Sequence, residues 1–195
     1  ECANHPQNPG MGTRMLPFSR ELYIERDDFM EDPPKKYHRL GPGREVRLRN
    51  AYIIKYESMV KDEKTGEVSE LHCTYDPETR NAPPADGHKV QGVIHWVSAR
   101  HAVPAQVRLY DRLFSIEDPG NEEDFMKFLN PGSLEILTTC YAESSLKNAE
   151  AGNKYQFERL GYFCVDPEAS AGKPVFNRIV PLRDSWTKTA GVKKD

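Results

Sequence analysis

Apolar and polar residues alternate along much of this chain. Within 45–60, Val46, Leu48, Tyr52, Ile54, Tyr56 and Val60 fall on one face, and Arg47, Arg49, Lys55 and Glu57 on the other. A period of two sustained this long predicts a half-buried strand. The polar stretch 61–66 ends it at the turn residue Gly66, and Val68, Leu71, Cys73 and Tyr75 predict the returning strand of a hairpin. Shorter runs follow at 89–99, 106–116, 134–141, 154–165 and 175–180, with turn residues between them. That spacing predicts a mainly β fold, a barrel or a sandwich. Helical signals are brief: Asn121 as a cap before 122–129, and Ser144 or Ser145 before 146–151 with Gly152 as the stop. Neither helix is long enough to organise a fold, no internal repeat is visible, and the tail 187–195 is expected to fray.

Composition narrows the picture. The 195 residues suffice for one large domain or two small ones, and 37% apolar with 29% charged residues predicts a soluble chain that can bury a core. Proline is in excess, 15 residues, and most prolines separate the apolar runs, as joints of a strand-rich fold. The formal charge of −3 argues against a uniformly basic surface. Its distribution matters more. Residues 35–49 hold six positive side chains and one negative, whereas 21–32 and 117–124 each carry a net −5. A concentrated basic segment is thus cancelled on paper by two acidic ones, and a phosphate backbone or base edge responds to the local field.

Several classes of chemistry lack a signal. Cys2, Cys73, Cys140 and Cys164 show no CxxC spacing and are too few for a disulfide-built domain, which points to a reducing, cytoplasmic setting. No apolar run approaches the roughly 18 residues of a membrane span, and the first residues have no signal-peptide pattern. There is no GxSxG, P-loop, HExxH or GxGxxG after a strand. Gly41-Pro42-Gly43 is too short for a phosphate cradle and reads as a loop turn. His72, His88, His95 and His101 lack the close pairing of structural zinc ligands and read as ordinary histidines, so no metal is expected.

The basic strand carries the sharper candidates. Arg47 and Arg49 are two apart, hence on one strand face, and His38 and Arg39 arrive through the preceding Pro-Gly loop. Guanidinium forks suit guanine edges and phosphate oxygens, and Tyr37 offers a stacking ring. An ion-paired, solvated strand face explains the same arginines equally simply. Gln156 and Arg159, set among Tyr155 and Phe157, combine polar donors with aromatic anchors, and also fit an edge strand of alternating burial.

Runs 47–52, 73–76, 92–97, 107–114 and 156–164, taken in order, closely resemble the C-terminal anticodon-binding region of bacterial glutaminyl-tRNA synthetases, and the resemblance extends from about Asn4 to about Lys188. It implies two consecutive antiparallel β-barrels with a few short helices: a proximal one from 1–34 plus 115–195, and a distal one from 35–114. It implies a chain that reads the three splayed anticodon bases of glutamine tRNA between the barrels. By position, Arg47 and Arg49 fall at the first base, Gln156 and Arg159 at the middle uridine, and Arg39 at the third, a guanine. His38 stands where the family carries a lysine, and a neutral imidazole holds phosphate less firmly. The family's His-Ile-Gly-His-like and Lys-Met-Ser-Lys-Ser-like signatures do not occur here. The resemblance therefore implies a partner catalytic domain, N-terminal in the same protein, that uses ATP and magnesium, and no catalysis by this chain alone. Neither membrane nor DNA is an expected partner. The alternatives are the same region of a glutamyl-tRNA synthetase, or a β-barrel that docks an acidic protein on its arginine row.

Overall fold

The computed structural model describes residues 1–80 and 82–182; the tail expected to fray lies outside them. The fold is mainly β, and its contacts form two compact units, Glu1–Arg100 and His101–Asp195.

Among the described residues the first unit holds eight strands. They are β1 (Cys2–Ala3), β2 (Thr13–Arg14), β3 (Leu22–Ile24), β4 (Glu45–Leu48), β5 (Ile53–Lys61), β6 (Val68–Asp76), β7 (Val93–Ile94) and β8 (Trp96–Ser98). A four-stranded sheet runs β6-β5-β4-β7, β3 pairs with β8, and β1 pairs with β2. The alternation read from the sequence sets its faces: Val46 and Leu48 are buried while Arg47 between them is only partly so. Phe29, Leu40, Val46, Leu48, Ala51, Ile54, Ile94 and Trp96 form the core. Each large side chain among them contributes about 1.5–3 kcal/mol by leaving water.

The second unit is one five-stranded sheet. Its strands β9 (Val103–Tyr110), β10 (Leu134–Ala142), β11 (Lys154–Phe157), β12 (Gly161–Val165) and β13 (Val175–Pro181) lie in the order β10-β9-β13-β12-β11. Phe157 stacks on Phe163 with centroids 4.4 Å apart and meets Phe176 at 5.0 Å, over a core of Ala105, Val107, Ala142, Phe163, Val165 and Phe176. Asp166 ties three segments together: it accepts from the Glu168 N–H, from Asn177 Nδ2 and from Arg108. These contacts, the Glu168 N–H foremost, hold its carboxyl below the usual carboxylate range.

The structure revises several expectations. The run 45–60 is two strands, because the chain turns at Asn50, φ 57°, and Tyr52 O accepts from the Leu48 N–H. The run 154–165 is likewise a hairpin that turns at Arg159, φ 65°. The two expected helices are short 3₁₀ turns, at Phe125–Phe128 and Ser144–Leu146, and a further one at Pro119–Asn121 occupies the presumed cap. The sheets are mostly antiparallel, but β4 pairs with β7 and β13 with β9 in parallel. In the first unit β3 pairs with β8 and Phe29 bridges to Leu40, and in the second β9 is hydrogen-bonded to β10 and β13.

Candidate nucleic-acid interface

Arg47 and Arg49 line one open pocket of about 440 Å³, with Asn50, Ala82, Pro83 and Val93. The backbone that carries them is fixed by the parallel pairing to β7: Arg47 N–H donates to Gly92 O and Arg49 N–H to Ile94 O. The two side chains nonetheless do different things. Arg47 Nη1 donates to Thr79 O at 2.7 Å and Ala51 O at 3.3 Å, and its Nη2 to Ala82 O at 2.5 Å. Three of its five N–H donors thereby clamp the β4–β5 turn and the loop after β6. Arg49 lies just past the end of β4 and is exposed, with its carbonyl held by Trp96 Nε1 at 2.9 Å. Both side chains line the pocket, Arg49 as the more exposed of the two and Arg47 as a fixed part of the wall.

The loop before β4 is also built by arginines. Arg39 Nε lies 2.9 Å from Asp28, whose carboxylate is only 2% exposed, and Arg39 Nη1 donates to His38 O. Arg44 donates to the carbonyls of Pro33, Pro34 and Tyr37 and lies over the Tyr37 ring, so one face of that ring is already covered. Tyr37 OH donates to Asp27 O. Lys35, Lys36 and His38 are exposed on this framework. The loop presses closely on the sheet at Gly92, where any Cβ would sit 2.6 Å from His38 O. Glycine is required there by the approach of two backbones.

A second tether holds the loop between β6 and β7. His88 hydrogen-bonds Asp86 through Nδ1 and Glu45 of β4 through Nε2. The Asp86 and Glu45 carboxylates raise the His88 pKa, and the same contact lowers that of Asp86. A raised histidine contributes stability that is complete below its unfolded pKa and is lost as pH rises through the folded one. A lowered carboxylate contributes stability present above its unfolded pKa and lost as pH falls through the folded one. The tether is therefore complete between these limits. Backbone amide exchange in 84–92 should quicken as pH rises past the His88 titration, beyond the intrinsic rate, and His88→Ala should abolish that excess. Identical pH profiles in the parent and the variant would refute the tether.

In the second unit, Gln156 is exposed on β11 and Arg159 occupies the following turn. A left-handed conformation costs a non-glycine residue about 1 kcal/mol or more, so the turn spends stability to present Arg159 there. Thus Arg47 and Arg49 share a pocket, His38 and Arg39 share the loop before β4, and Gln156 and Arg159 share a hairpin of the other unit.

Three contributors escaped the sequence reading. Buried Thr79 receives the Ile53 N–H on Oγ1 and presents its carbonyl to Arg47. Its 3₁₀ turn was legible in Asp76-Pro77, since Asp76 caps the Glu78 N–H and proline opens the turn. Asp28 and Asn50 gave no comparable signal. Among the described residues no three or more His, Cys, Asp or Glu side chains gather to hold a metal ion, none of the four cysteines is in a disulfide, and no helix is long and apolar enough to cross a membrane.

The family comparison covers parts of both units. Residues 1–76 and 93–166 match two family models, each described as an anticodon-binding domain of the class I tRNA synthetases (E and Q), and the chain belongs to that family. Among curated proteins it is similar to the glutamine–tRNA ligase of Proteus mirabilis strain HI4320, at 58% identity over 185 residues, which is 95% of this chain and 33% of that protein. The glutamine–tRNA ligases of Enterobacter sp. strain 638 and Escherichia coli O157:H7 are 58% and 56% identical over 186 residues, again 95% of this chain and 33% of theirs. The chain thus spans about a third of the length of these relatives.

Proposed function

We propose that this chain is the anticodon-reading part of a cytoplasmic glutamine–tRNA ligase, which attaches glutamine to its tRNA with ATP and magnesium in a separate catalytic domain. The observation that carries the reading is the Arg47–Arg49 pocket at the end of the basic strand, in a chain of the anticodon-binding family. An unpaired base needs an open pocket with planar donors, and the exposed Arg49 fork supplies them. On this reading Arg47 and Arg49 serve the first anticodon base, Gln156 and Arg159 the middle one, and Arg39 the third. His38, Lys35 and Lys36 meet phosphates, which position the RNA without specifying sequence.

Arg49→Ala is expected to weaken binding of glutamine tRNA by about 1–3 kcal/mol, roughly 5- to 150-fold, and to relax discrimination at the first anticodon base. Fluorescence anisotropy against anticodon stem-loops of glutamine and glutamate tRNA measures both. Unchanged affinity and preference would overturn the assignment of Arg49. Preference for the glutamate stem-loop would move the chain to the other branch of the family.

A further inference from the structure

Beside the arginine pocket lies a smaller one of about 210 Å³, and the two share Asn50 in their walls. Its lining is of another kind: Phe18, Tyr52 and Trp96 with Arg80. Phe18 is 38% exposed, and its ring meets Tyr52 at 5.0 Å and 63°, Trp96 at 5.4 Å and 79°, and Tyr75 at 5.8 Å and 56°. All three contacts are edge-on or tilted, so none of these rings lies flat on the Phe18 face. Glu1, the acidic residue of the lining, accepts a hydrogen bond from Thr13 Oγ1. The aromatic cluster is also joined to the reading arginine: Trp96, buried at its base, donates Nε1 to the carbonyl of Arg49. An exposed benzene ring with a guanidinium at the rim matches a nucleotide in both of its parts, a π-face for the base and a fork for the phosphate.

We propose that this aromatic pocket holds an unpaired base that flanks, on the same RNA strand, the base met by Arg49, stacked on Phe18 with Arg80 toward its phosphate. The proposal rests on the anticodon reading above and adds a stacking site to it. Stacking accepts any base, so the pocket contributes affinity and fixes the path of the strand rather than specifying sequence. Continuity through Asn50 with the arginine pocket favours this occupant over a protein segment.

The test places 2-aminopurine at each loop position of an anticodon stem-loop in turn and titrates it with the full-length protein, as parent, Phe18→Leu, Arg80→Gln and Arg49→Ala. The parent should quench one position outside the base met by Arg49. Phe18→Leu should relieve that quenching and weaken binding about 5-fold or more at a temperature where circular dichroism shows the variant folded. Arg80→Gln, which leaves the aromatic cluster intact, should weaken binding and make the salt slope shallower. If the parent quenches no such position, or if Phe18→Leu and Arg80→Gln bind as the parent does while Arg49→Ala loses affinity, the stacking site is overturned and the anticodon reading stands. If Arg49→Ala also binds as the parent does, the anticodon reading falls with it. Loss of binding to a protein partner in Phe18→Leu, with RNA binding intact, would assign the pocket to that partner and refute the proposal.

Discussion

Arg39→Ala is expected to lower the unfolding free energy of the first unit by about 2–3 kcal/mol, apart from any effect on RNA. The Asp28 carboxylate that would lose this guanidinium is 2% exposed, and its Oδ1 lies 2.9 Å from Arg39 Nε. Hydrogen bonds to charged groups contribute about 1.5–3 kcal/mol, and breaking a fully buried ion pair costs about 3–5. Arg39 is itself 31% exposed, so water screens part of the pair, and the lower part of that range applies. Asp28 also accepts the Leu40 N–H on its backbone oxygen, so its displacement would loosen the path into the core residue Leu40. Urea unfolding followed by tryptophan fluorescence measures the loss, and Arg39→Lys, which keeps the charge without the fixed Nε direction, should recover part of it. Unchanged stability in Arg39→Ala would refute the buried pair. The result bears on function, because a tRNA-binding defect in this variant counts as base recognition only for the part that exceeds the unfolding.

Gly161→Ala should cost about 3 kcal/mol or more and disable the second unit's candidate site. Gly161 has φ 151°, and a Cβ built there meets Val180 O at 2.5 Å and Pro181 Cα at 3.2 Å, both main-chain atoms. Backbone cannot swing aside as a side-chain tip can, so overpacking strain of about 1–3 kcal/mol adds to a dihedral penalty of similar size. Gly161 closes the turn that presents Arg159 and pairs with Phe157, which is stacked in the core. Thermal unfolding should drop, and near-ultraviolet dichroism from the Phe157 and Phe163 region should weaken. A variant as stable as the parent would show that β12 and β13 do not approach as closely as described.

The strands were legible where their ends carried ordinary punctuation. The hairpin of β5 and β6 turns at Gly66, and β13 follows the left-handed Gly172. Two long runs misled, and for one reason: each is broken by a non-glycine residue in the left-handed region, Asn50 in one and Arg159 in the other. The period-two pattern runs unbroken across both turns and outweighed the signs that were there, Asn50 itself in one and Gly161 at the end of the other. Both of these turns carry candidate site residues, where a backbone held in a costly conformation is expected. Arg47 and Arg49 were readable as a pair sharing one face, and the pocket holds them together. Their division of labour was not readable, because the carbonyls that occupy Arg47 come from Thr79 and Ala82, more than thirty residues away. Nor could a charge count find Asp28, whose importance comes from being buried rather than from being acidic.

The chain passes from one compact unit to the other at a single point, between Arg100 and His101, and among the described residues neither unit borrows a strand from the other. For a polypeptide that emerges from the ribosome N-terminus first, this order has a kinetic meaning. At about 5–20 residues per second, the first unit takes about 5–20 s to be made, and every partner for β1 to β8 is then already in place. A unit whose opening segment paired only with strands made last would leave that segment unpartnered until the end of synthesis, exposed to misplaced pairing. The contiguous arrangement lets the arginine pocket complete its walls while the Arg159 hairpin is still being translated.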